Sequence, residues 1–178
     1  MNELAVLAHR VDYRRLATQQ GRASGETQLC ELPRVFAETA DAACRHDTIA
    51  VDLGFEEDAQ RRVVVEGTID TTLRLQCQRC LRHFGAPIHV EVRGVVVADD
   101  DAAANVPRED EPVLADGEWL NVHEMVADEL LLAMPNVARC GAPECVARYA
   151  DGDAPERQKT NDKTTNPFAV LDQLKHND

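Results

Sequence analysis

The chain has 178 residues, a net charge of −13 and only 4% aromatic residues. That length suits one compact domain with an extension, or barely two domains, and the core must be aliphatic. No apolar run approaches membrane-spanning length, and the N-terminal residues lack the basic start and apolar stretch of a secretory signal. The chain is therefore read as cytoplasmic, where its six cysteines point to metal binding or redox work rather than a disulfide framework.

The charge is unevenly spread. Residues 97–131 carry eleven acidic side chains against one arginine, Arg108, whereas residues 61–93 carry six arginines against three acids. A uniformly acidic chain would argue against RNA contact. This bipolar one leaves room for a basic patch beside an acidic arm, or for pairing between the two.

In chain order, residues 1–47 are weakly patterned. Arg10 to Gln19 reads as a helix or an irregular arm, and Val35 to Ala43 has modest helical character. From Thr48 the pattern sharpens. Ile49, Val51, Leu53 and Phe55 alternate with smaller or polar residues, the period of a half-buried strand. Arg61 to Glu66 is valine-rich. After Gly67, Ile69, Thr71, Leu73, Leu75 and Cys77 alternate with polar residues, and Ile88, Val90 and Val92 alternate again before Val95-Val96-Val97. Two or three antiparallel strands are expected, with the first cysteine pair at a hairpin tip. Residues 98–118 are acidic and proline-containing and read as a mobile loop. Asn121, with Glu124 three residues on, marks a capped helix start, and Pro135 stops the helix. Val122, Met125, Val126 and Leu130 share its apolar face, with Glu124 and Asp128 opposite. Residues 150–165 read as a disordered linker. Asn166-Pro167-Phe168 opens a short terminal helix over 166–178 with Leu171 and Leu174 on one side.

The expected fold is α+β. A small antiparallel sheet with a zinc-knuckle hairpin packs against one main helix within 48–149, and a partly helical arm precedes it.

The chemistry lies in the cysteines. Cys77-x2-Cys80 is a zinc-knuckle spacing, and a second pair, Cys140-x4-Cys145, has Gly141 and Pro143 inside its loop. Structural zinc takes four ligands in a closed tetrahedron. The pairs can meet only if the helix over 121–134 folds back and delivers its C-terminal loop to the hairpin tip. One structural zinc held by Cys77, Cys80, Cys140 and Cys145 is the reading adopted. Two alternatives stand beside it: a redox CxxC, which would want a strand–helix context absent from this pattern, and four unliganded thiols. Cys30 and Cys44 read as small buried side chains, and His83 and His123 as surface histidines rather than ligands. No glycine-rich phosphate loop, serine elbow or HExxH is present, and Glu124 with Asp128 reads as a solvated helix face. A closed four-thiolate site has no open coordination position. A non-enzymatic role is expected, without a small-molecule substrate.

Leu75-Gln-Cys-Gln-Arg-Cys-Leu-x2-Phe84, Asp128-Glu-Leu-Leu-Leu-Ala-Met-Pro135 with its cysteine loop, and Asn166-Pro-Phe-Ala-Val-Leu-x-x-Leu-Lys175 together resemble the YceD family. These are the large ribosomal RNA subunit accumulation proteins of bacteria and plastids. The three motifs occur in the family's order, and with their flanks they cover roughly residues 45–175. The resemblance implies a role in large-subunit ribosomal RNA accumulation and ribosome biogenesis, and supplies no mechanism. Two mechanisms fit the residues. In one, Arg79 and Arg82 at the knuckle reach ribosomal RNA or its precursor. In the other, the acidic arm holds a basic ribosomal protein, with Pro167 and Phe168 as a docking peptide.

Overall fold

The computed structural model describes residues 5–39 and 42–150. The chain divides into two compact units, residues 1–140 and 141–178. The resemblance to a docking peptide at Pro167 and Phe168, like the 151–178 tail as a whole, lies outside the described residues.

The first unit is α+β, built on long strands. β3 (Thr48–Glu57), β4 (Val63–Gln76) and β5 (His83–Val97) form the antiparallel centre of a five-stranded sheet. β2 (Arg22–Gln28) pairs antiparallel with β3, and β6 (Pro112–Leu114) pairs parallel with β5. A separate two-stranded ribbon joins β1 (Arg10–Asp12) to β7 (Trp119–Asn121).

The alternation in β3 puts Ile49, Val51, Leu53 and Phe55 into the core, all at most 4% exposed, while Asp52 and Glu56 face solvent. β4 and β5 alternate likewise over Ile69–Leu75 and Ala86–Val92. At the other end of this pair the alternation fails. Val63, Val64 and Val65 are all buried, as are Val95, Val96 and Val97. There the sheet is covered on both faces, as a continuous apolar run requires. Val64, Val95 and Val97 form a second cluster with Ala102, Ala103 and Val106. These last residues belong to or follow α3 (Asp100–Ala103), whose N-cap Asp99 accepts from the Ala102 N–H at 2.8 Å. The acidic segment expected as a loop thus contributes a short helix and an edge strand.

Gly67 does not interrupt a strand. It sits within β4 opposite Leu53, where an added Cβ would lie 1.9 Å from the Asp52 carbonyl oxygen. Only glycine permits that approach between two central strands.

The N-terminal arm is more regular than its sequence pattern. α1 (Tyr13–Thr18), capped by Asp12, packs on β3, and β2 extends the sheet. α2 is the single turn and a half Pro33–Ala37. Cys44 is buried and Cys30 half-buried.

The longest described helix is α4 (Val122–Ala133), capped by Asn121 as the sequence predicts, with the Glu124 N–H donating to Asn121 Oδ1 at 3.2 Å. It packs against β5, and its Val122, Met125, Val126 and Leu130 are buried in the core. Glu124 and Asp128 are exposed and share Arg34, at 3.3 and 2.5 Å.

His123 departs from expectation: it is buried, 6% exposed, with neither ring nitrogen hydrogen-bonded among the described residues. It follows Val122 at the margin of the apolar face, and its ring lies tilted against that of His9, which leads into β1, with centroids 4.5 Å apart. Burial, and then the charge of His9, hold its pKa below the ordinary 6.5. The folded state therefore binds fewer protons than the unfolded chain as pH falls below about 6.5, and stability is lost there. Denaturant unfolding should show that loss between about pH 7 and pH 5, and His123→Leu should flatten it. An equal slope in both proteins would contradict this assignment.

In the second unit the described element is α5 (Pro143–Ala150). Pro143 opens this helix, as its fixed φ favours, instead of shaping a cysteine loop. No helix among the described residues is long and apolar enough to cross a membrane.

Candidate metal centre

The β4–β5 connection is a six-residue turn, residues 77–82. The Leu81 N–H donates to the Cys77 carbonyl at 2.8 Å, and the Cys77 N–H to the Arg82 carbonyl at 2.9 Å. Leu81 closes the turn at φ 60°, a left-handed conformation for a non-glycine residue. Its side chain is 65% exposed. The turn turns Cys77 inward, to 0% exposure, and leaves Cys80 half-buried.

The chain after α4 returns to this turn. The Gln78 N–H donates to the Ala138 carbonyl at 2.8 Å. The Cys140 N–H points at Cys77 Sγ at 3.3 Å, and the Sγ atoms of Cys80 and Cys140 are 3.6 Å apart. Arg79 Nη2 donates to the Cys140 carbonyl at 3.2 Å. The return of the helix C-terminus to the hairpin tip, which the sequence required for the two pairs to meet, is present at Cys140.

The Sγ atoms of Cys77, Cys80, Cys140 and Cys145 all lie within 4.8 Å of one another. No disulfide is present among the described residues, and 3.6 Å is far outside the S–S bond length of about 2.05 Å. A metal–sulfur distance of about 2.3 Å in a tetrahedron sets an edge of about 3.8 Å. The Cys80–Cys140 separation falls close to that edge. Backbone N–H groups of Cys140, Cys80 and Arg79 converge on Cys77 and lower its pKa to about 5, against the opposing effect of burial. Such an arrangement favours the thiolate, the form that binds metal. These four cysteines can hold a metal ion.

A family model for the large ribosomal RNA subunit accumulation protein YceD matches residues 65–175. The chain is also 34% identical over 130 residues to the large ribosomal RNA subunit accumulation protein YceD of Haemophilus influenzae, covering 70% of this chain and 72% of that protein. The chain belongs to the YceD family. No solved structure matches it.

The YceD match begins within β4 and so includes the cysteine turn and α4. Of the other site residues expected from sequence, Arg79 is half-buried with its guanidinium on Cys140, while Arg82 is exposed where the turn enters β5. His83 is exposed. The link from Gln78 to Ala138 had no signal in the sequence, because it joins two backbone groups.

The opposite charges of this YceD protein meet in part. Asp110 lies 3.0 Å from Arg62 and 3.4 Å from Arg93, and Asp116 lies 2.6 Å from Arg10. The acidic segment is therefore engaged by arginines of its own chain.

Proposed function

We propose that this protein is a non-enzymatic, cytoplasmic factor for large-subunit ribosomal RNA accumulation, that it contacts ribosomal RNA or its precursor, and that one structural zinc ion fixes the turn presenting the contact. The clustering of four thiols within 4.8 Å carries the zinc part of this reading. An all-thiolate set is soft and selects zinc or an iron–sulfur cluster. A cluster would hold its thiolates wider apart than one ion does. All four positions of a mononuclear site are taken by protein, so the ion has a structural role and no open position for substrate.

The RNA part rests on family membership and on the arginines beside the thiols. Arg79 is half-buried and donates to the Cys140 carbonyl, while Arg82 is the exposed arginine of the turn. Arginine combines phosphate pairing with stacking on bases, which suits RNA. A binding titration of a large-subunit ribosomal RNA fragment should weaken steeply with salt. Arg82→Glu should reduce affinity by about tenfold, and Arg79→Glu with Arg82→Glu should abolish it. Affinity that is flat across the salt series would remove direct RNA contact.

A second reading, an adaptor that holds a basic ribosomal protein without touching RNA, is supported by the exposed run Asp99, Asp100 and Asp101 at the start of α3. It predicts that a triple Asp→Asn variant loses a ribosomal protein in a pulldown and keeps its RNA affinity.

A further inference from the structure

β1, α1, the start of β2 and β7 enclose a groove of about 450 Å³ on the first unit. This is within the range of small-ligand sites, about 300–1,000 Å³. Its apolar lining includes Val11 and Leu16, and its charged lining is three arginines, Arg10, Arg15 and Arg22, against one carboxylate, Asp12. In a chain of net charge −13 that is a local reversal of sign. Asp12 is also already engaged, its Oδ1 accepting the Arg15 N–H at 2.9 Å as the cap of α1.

Trp119, the only tryptophan of the chain, lines the same groove and is 48% exposed. The pairing of β1 with β7 holds it opposite Asp12, and Leu120 beside it is buried at 1%. The Asp116–Trp119 bridge, with Gly117 at φ 63°, fixes the approach. The indole is therefore anchored by its backbone with much of its surface facing solvent.

Two of the arginines have partners at the groove margin. Arg10 contacts Asp116 at 2.6 Å and Arg22 contacts Asp52 at 2.6 Å, and all four side chains are substantially exposed. Exposed pairs of this kind are weak and screened by salt, so a phosphate can take the place of a carboxylate. The Arg15 side chain makes no ion pair among the described residues. A fixed aromatic surface, guanidinium groups and an apolar lining are the parts with which proteins hold single-stranded nucleic acid. An acidic peptide would use the arginines but would gain little from the indole.

We infer that the groove of Arg10, Arg15, Arg22 and Trp119 is a single-stranded RNA site in which an unpaired base stacks on Trp119 and the flanking phosphates contact the arginines. This inference rests on the RNA-contacting reading above and places a contact away from Arg79 and Arg82.

The lone tryptophan makes the test direct. Full-length protein is titrated with a fluorescently labelled single-stranded RNA of about ten nucleotides, while tryptophan emission and RNA anisotropy are followed together. Saturable quenching that tracks the anisotropy is expected, with much weaker quenching by the duplex of the same sequence. Trp119→Ala should weaken binding roughly tenfold or more. Arg15→Glu, on an exposed helix position, should weaken it several-fold and steepen no other property, with unfolding unchanged. Anisotropy without quenching, insensitive to Trp119→Ala, would overturn the groove and leave contact at Arg82 standing. No anisotropy change at all would overturn both. Equal quenching by polyglutamate, competing with the RNA, would overturn the RNA assignment in favour of an acidic peptide.

Discussion

Replacing Cys77 with serine is expected to abolish metal binding and to lower stability by several kcal/mol, an order of magnitude taken from the coupling of structural zinc to folding. Cys77 is at 0% exposure and receives the Cys140 N–H on its sulfur. The serine hydroxyl is a poor zinc ligand and is too short to replace that contact. Residues 138–140 then keep the core packing of Ala138 and hydrogen bonds such as Gln78 N–H to Ala138 and Arg79 to Cys140. The main hydrophobic core does not include Cys77, Cys80, Cys140 or Cys145, so the sheet should persist. The loss should appear as a lower melting temperature and as faster amide exchange at residues 77–82 and 137–140. Cys80→Ser and Cys140→Ser should behave alike, and a strong chelator should reproduce the effect in the unmodified protein. Cys30→Ser, away from the cluster, should leave stability within about 0.5 kcal/mol. Indistinguishable melting of the Cys77 and Cys30 variants would remove the structural role of the site.

The second large effect is expected at Gly67. An alanine methyl there would lie 1.9 Å from the Asp52 carbonyl oxygen and 2.9 Å from the Leu53 Cα, both backbone atoms. Neither atom can swing aside as a flexible side chain does. Relief requires β3 and β4 to part at the Leu53–Gly67 pair, between the fully buried Val65 and Ile69. Overpacking typically costs about 1–3 kcal/mol and occasionally more. With backbone on the receiving side, Gly67→Ala should cost about 3 kcal/mol or more, seen as a shifted denaturant midpoint or loss of soluble protein. Gly141→Ala is the control, since nothing lies within 4 Å of its added Cβ. A Gly67→Ala protein with an unshifted midpoint would contradict the strand register.

The elements legible in the sequence are those where one physical period dominates. β3 alternates because one face is buried, and α4 carries both a cap and an apolar stripe. β2 had no such signal. Its buried positions are Ala23, Gly25 and Thr27, small residues without the bulk of a typical strand. The reason is a close approach. Residues 5–7 bridge to this strand at Glu26, and a Cβ on Gly25 would lie 2.3 Å from the Ala5 carbonyl. The valine runs at 63–65 and 95–97 concealed their cover, because α3 lies in a segment whose acidic composition suggested a solvated loop. The burial of His123 has a different cause: His9, just before β1, packs against it, a contact that helical periodicity does not encode.

The thiol set was legible because its chemistry is restrictive. Two cysteine pairs in one chain have few uses, and only the return of the chain after α4 remained to be established. The arginines were less legible. Arg79 and Arg82 look equivalent in the motif, yet Arg79 is half-buried and Arg82 is exposed. The groove at Trp119 had no linear motif, since β1, α1, β2 and β7 contribute to it from opposite ends of the unit.

The measurement that bears most directly on the zinc-clasp account is the metal content of the full-length protein after purification without chelators or added metal. Elemental analysis should give about one zinc per chain and negligible iron. The zinc should be lost in each of the four cysteine variants, and its X-ray absorption should report four sulfur ligands near 2.3 Å. A metal-free protein, with all six thiols titratable and full thermal stability, would contradict it.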